Sequence, residues 1–196
     1  MNKYLSTMQL VLLFVLLAFL IMYLDYFLIR PYAVDYYSDY IIKVDFQKFF
    51  ITIYLKSLVI IFIGSIFLFF IVLFLLNLYN YSKISKVLIF NIILTSKFTY
   101  LLIWFIKFIY FKFVYQSYSM SQVINFTRFT VADLLGLNDI FIIKGPTISD
   151  MLFLIIFSSL IRYYLDNKSF LLAIFSYLIY YAIYLFYSFV IPGGLI

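Results

Sequence analysis

Apolar residues along the chain gather into five stretches, most of them long enough to cross a bilayer. The first runs from Met8 to Ile29, follows a single charge at Lys3, and ends at Arg30-Pro31. It is too long for a signal peptide and has no small-residue cleavage site, so it reads as a retained signal anchor. The second runs from Phe49 to Tyr79, roughly 46 Å of helix against a hydrocarbon core of about 30 Å. It either tilts or projects at its Lys56 end. The third spans 87–115 and carries Lys97, Lys107 and Lys112. The fourth, 150–165, is short. The fifth, 169–191, stops at Pro192-Gly193-Gly194. The expected fold is therefore all-α, a single polytopic membrane domain with about five transmembrane helices.

Two polar segments separate these stretches. Residues 30–48 balance Asp35, Asp39 and Asp45 against Arg30, Lys43 and Lys48. Residues 116–149 hold more structure. Ser119 and Gln122 have capping-box spacing, and Gly136 is a natural helix stop. Between them Met120, Val123, Ile124, Val131, Leu134 and Leu135 alternate with Gln122, Asn125, Arg128 and Asp133. That pattern predicts an amphipathic helix over 119–135, lying in the membrane interface. Thr147 and Asp150 again have capping spacing and open the fourth helix.

The short breaks carry the positive charge. Lys3, the Lys83/Lys86 turn, and Arg162 with Lys168 fall on one side of a five-helix arrangement. The positive-inside rule makes that side cytoplasmic, with the N-terminus in.

Composition sharpens the picture. Of 196 residues, 67% are hydrophobic and only 11% charged, with a mean hydropathy of +1.14. An ordinary soluble domain is about one quarter charged, so the bilayer is the solvent that suits this chain. There is no Cys, His or Glu, and all eight acids are Asp. Thiolate zinc sites and iron–sulfur ligation are excluded, and no cofactor is expected. The 26 Phe and 21 Tyr partly reflect AT-rich codons, so a Tyr here needs no functional reason. The net charge of +6 is scattered, without a basic stripe, and does not point to nucleic acid.

Ionisable residues inside the apolar stretches are the candidates for function. Lys97 leads, with Asn91 and Thr95 nearby and Tyr100 and Trp104 on its own helix face. Together with Asp25 of the first helix these residues form a candidate polar seam for a substrate headgroup, a partner helix or an ion. The plainer alternatives are a Lys97 that snorkels to the interface or pairs with Asp25. Asp25, near the end of its helix, also fits an interfacial position. Lys56, Lys107, Lys112 and Arg162 read as anchors near helix ends. Enzyme chemistry is poorly supplied: neither His nor Glu is present as a general base. The adjacent pairs Lys56-Ser57 and Ser96-Lys97 point to different helix faces. The chain is expected not to be an enzyme.

From Leu55-Lys56-Ser57 onward the chain resembles a known group. The Ser82–Lys86 turn, Ile106-Lys107-Phe108-Ile109-Tyr110-Phe111, and Tyr118-Ser119-Met120 follow in the group's order. Val123, Phe126, Leu134-Leu135, Pro146 and Leu152-Phe153 continue it. The resemblance, over about residues 55–190, is to small polytopic membrane proteins of Bacteroidota that are distantly similar to the five-helix Yip family. Phe126-Thr127-Arg128 and Leu154 depart from its pattern. It implies a fold and a bacterial inner membrane rather than a reaction. Separately, Phe62 to Phe70, around Gly64, resembles a Gly-containing helix of the sixth membrane subunit of respiratory NADH dehydrogenase, which implies a mitochondrial inner membrane. The leading expectation is a non-catalytic accessory or assembly subunit of a membrane complex, with transport or export as its candidate task. Its partners are the lipid bilayer and other membrane protein subunits. The alternatives are that respiratory subunit and a small stand-alone transporter.

Overall fold

The computed structural model describes residues 6–37, 46–78, 85–114, 122, 126, 146–165 and 169–190. Within them the chain is helical, without a β-sheet. Five helices follow in order: α1 (Thr7–Tyr37), α2 (Phe46–Leu78), α3 (Lys86–Ile109), α4 (Ile148–Tyr164) and α5 (Ser169–Val190). A π-helical turn, Tyr110–Val114, extends α3. Three segments are long and apolar enough to cross a membrane: Thr7–Leu28, Tyr54–Leu78 and Lys86–Val114. Phe170–Ile183 in α5 is a shorter apolar helix. The protein is an all-α integral membrane protein. The interfacial helix expected over 119–135 lies outside the described residues, apart from Gln122 and Phe126.

Two helices begin with reciprocal caps. At α1, the Ser6 N–H donates to Gln9 Oε1 at 2.8 Å and the Gln9 N–H to Ser6 Oγ at 3.3 Å. At α4, the Thr147 N–H donates to Asp150 Oδ2 at 3.0 Å and the Asp150 N–H to Thr147 Oγ1 at 3.2 Å. Both boxes satisfy backbone donors that a helix start leaves without intrahelical partners. α1 does not stop at Arg30-Pro31. It continues through Pro31 to Tyr37. Proline removes one backbone donor but fixes a helical φ, and helices of membrane proteins accommodate it.

α3 is the central helix. It packs against α1, α2 and α4, while α5 packs against α2 and α4. Two apolar clusters result. Leu68, Val72 and Leu76 of α2 meet Ile89, Ile92 and Ile93 of α3, Phe153, Phe157 and Ile161 of α4, and Leu172, Ala173 and Tyr177 of α5. On the other side of α3, Phe14, Ala18 and Ile21 of α1 meet Leu58, Leu94 and Leu101. The buried stripe of α1 is Phe14, Ala18, Ile21, Asp25 and Leu28, a heptad spacing. Its opposite face, including Leu12, Leu16, Leu20, Tyr23 and Phe27, is exposed. In water such a patch would drive aggregation; in a bilayer it faces acyl chains. The buried serines return their hydroxyl protons to helix carbonyls: Ser65 to Ile61, Ser96 to Ile92 and Ser176 to Leu172.

α1 and α3 run parallel in a nearly constant register. The Thr7 hydroxyl donates to Asn91 Oδ1 at 2.8 Å, across 84 positions of sequence. Phe14 meets Phe98 edge-on, 5.2 Å between centroids. Asp25 meets Lys107 across 82 positions. This register decides which charges can meet.

Candidate functional site

The candidate seam residues do not converge. Asn91 faces α1, where it accepts from Thr7. Thr95 is on the exposed face of α3. Asp25 is bound by Lys107, and Lys97 turns the other way, toward α4 and α5. The α1–α3 register explains the separation. It puts Lys97 level with Leu13, twelve residues and roughly 18 Å short of Asp25. A Lys97–Asp25 pair is therefore geometrically closed.

The Asp25 site joins three helices. The Lys107 ammonium and the Tyr54 hydroxyl both donate to Asp25 Oδ2. Asp25 is fully buried and Lys107 nearly so. The Trp104 ring of α3 packs edge-on against Tyr54 of α2 at 5.5 Å. Asp25 Oδ1 is buried without a hydrogen-bond partner among the described residues. Counting 1.5 Å per residue, Asp25 lies roughly 27 Å from Thr7 and Lys107 roughly 31 Å from Lys86, both toward one end of the bundle. Lys107 is thus a charge partner and not an interfacial anchor. Asp25 holding a hydrophobic heptad position in α1 was the available signal, because a buried acid needs a partner.

The second site is built around Lys97. This residue is 3% exposed and sits roughly 16 Å along α3 from Lys86, near the middle of the span. Three aromatic faces surround its ammonium: Phe153 at 4.3 Å, Tyr100 at 4.8 Å and Tyr180 at 5.5 Å from the ring centroids. These contacts are cation–π attractions, which strengthen when water is excluded. No carboxylate lies within ion-pair distance of Lys97 among the described residues. Asp150 is the nearest described source of negative charge, reached through Tyr100, whose hydroxyl donates to Asp150 Oδ1 at 2.5 Å. Asp150 at the same time closes the α4 capping box. The buried Tyr177 hydroxyl also lies close to this carboxylate.

Gly64 of α2 completes the cage from behind. A Cβ there would come within 2.6 Å of the Tyr180 hydroxyl oxygen, so the missing side chain gives that oxygen its room. Small residues at helix contacts serve this purpose in membranes. Four helices thus contribute: α2 with Gly64, α3 with Lys97 and Tyr100, α4 with Asp150 and Phe153, α5 with Tyr180. Trp104, expected on the Lys97 face, is instead at the Asp25 site. Sequence spacing found Lys97 and Tyr100. It could not find Phe153, Tyr180 or Asp150, which come from helices more than fifty positions on.

Among the described residues no three metal-ligating side chains come together. No protein family, characterised protein or solved structure matches the chain.

Proposed function

We infer that the protein is a non-catalytic, multi-span subunit of a membrane complex, acting in transport or export, and that Lys97 is the group through which it acts. The observation that carries this reading is a buried mid-span cation that, among the described residues, touches aromatic rings and no carboxylate. The carboxylate that would make Lys97 a purely structural pair, Asp25, is taken by Lys107. Intramembrane cations are costly and mark functional contacts by default. The basic breaks between helices support an N-terminus in the cytoplasm, and the Yip-like resemblance implies a bacterial inner membrane.

A stand-alone transporter is the second reading, favoured by where α4 starts. Its first turn is level with Tyr100, while the helical segment through α3 runs on to Val114, roughly 21 Å further. A helix that opens inside the bilayer beside a buried charge is a recurrent feature of transporter sites.

The test uses Lys97→Met, which keeps the volume and removes the charge. On this reading the variant inserts and folds but fails to complement a deletion strain. Gentle extraction of the wild type yields a discrete particle larger than the chain if it is a subunit, and the chain alone if it is a transporter. A Lys97→Met variant that complements fully refutes the role of Lys97.

A further inference from the structure

Away from both polar sites, a groove of about 360 Å³ opens at the Lys86 end of the bundle. Thr7 of α1, Ile66, Phe69 and Phe70 of α2, and Lys86, Val87 and Phe90 of α3 line it. It exists because α1 and α2 make little contact with each other and both lean on α3. Phe69 and Phe90, ring to ring at 5.6 Å, form its floor. Ile66, Phe70 and Val87 are exposed along it. Among the described residues the walls are apolar, and the one charged lining residue is Lys86.

The charge at that end is one-sided. Ser85, the residue before α3, makes no side-chain cap, and the first turn of α3 has no acid. Backbone N–H groups there keep their partial positive charge beside the Lys86 ammonium. Lys83 stands three residues earlier in the sequence. Residues 46–132 contain no acidic residue at all, and the first turn of α1 has none either. An apolar slot opening to lipid, with a cationic mouth near one end of the spans, suits an acyl chain below an anionic headgroup.

We propose that this groove is a binding site for an anionic phospholipid, with an acyl chain lying on Phe69, Phe90 and Val87 and the headgroup phosphate at Lys86 and the α3 N-terminus. The site is independent of Lys97 and of the function inferred for it.

Fluorescence quenching tests the assignment. In a Trp104→Phe background, Phe70→Trp places a single indole in the groove. The protein is reconstituted in vesicles of phosphatidylcholine containing either brominated phosphatidylglycerol or brominated phosphatidylcholine, at equal mole fraction. The expected result is stronger quenching by the anionic lipid, by about threefold or more in relative binding constant. Adding Lys86→Gln should bring the two lipids to equal quenching. Unmodified protein, whose one Trp is Trp104, reports from the other end of the bundle and should not discriminate. Equal quenching without Lys86→Gln overturns the proposal, because the groove then holds ordinary boundary lipid. Absence of quenching by either lipid overturns it as well, because a protein surface then covers the groove.

Discussion

Replacing Asp25 by Asn removes one charge from a buried pair and leaves the other. Asp25 is fully buried and Lys107 is 6% exposed, so solvent screens little of the change. Breaking such a pair from one side costs about 3–5 kcal/mol in well-buried cases. Lys107 is seven residues from Val114, roughly 10 Å, and its long stem lets the ammonium rise part of the way to the interface. That relief puts Asp25→Asn at the lower limit, about 3 kcal/mol, roughly a hundredfold in the folded-to-unfolded ratio. The double variant Asp25→Leu with Lys107→Met removes both charges and fills the space. It should recover most of the loss, because an apolar pair of similar volume is often as stable as the ion pair it replaces. The assay is reversible unfolding in mixed micelles by denaturing detergent, with helix content as readout, for the wild type, both single variants and the double. A coupling energy below about 0.5 kcal/mol would refute the pair as a stabilising contact.

Other outcomes follow from the same geometry. Lys97→Met should leave stability unchanged or raise it, by up to about 2 kcal/mol, since burying the ammonium costs more than its ring contacts return; a loss in the same unfolding assay refutes that balance. Gly64→Ala should cost about 1 kcal/mol by pushing on the Tyr180 hydroxyl, and adding Tyr180→Phe should restore most of it. Thr147→Val breaks the α4 capping box and should cost about 1 kcal/mol, with hydrogen exchange rising first at Met151 and its neighbours. Tyr54→Phe should cost less than Asp25→Asn, about 0.6 kcal/mol, because Lys107 still holds the carboxylate.

The all-helical class and the places of the apolar stretches were legible because a bilayer demands long apolar runs with backbone polar groups bonded internally. The α4 start was legible from Thr147 and Asp150, whose spacing is a local signal. The end of α1 was not. Pro31 reads as a stop in a water-soluble helix, yet the chain stays helical to Tyr37. The partnership of charges was also hidden, because it depends on register between helices eighty positions apart. The pattern of α1 shows that Asp25 is buried, but only the pairing of Thr7 with Asn91 and Phe14 with Phe98 fixes Lys107 as the residue opposite. The Lys97 cage needed the turns of α4 and α5, which sequence periodicity does not align with α3.

The central place of α3 sets an order of events during synthesis. Once it leaves the ribosome, α1 and α2 are already present, and Asp25 and Tyr54 can engage Lys107 at once. The ammonium of Lys97 has only Tyr100 of its own helix for early company: Phe153 and Tyr180 are translated later. Until α5 is in place, the nascent protein carries an incompletely covered cation in mid-membrane. A chain cut short after α3 would lack both later rings and leave that cation with Tyr100 alone.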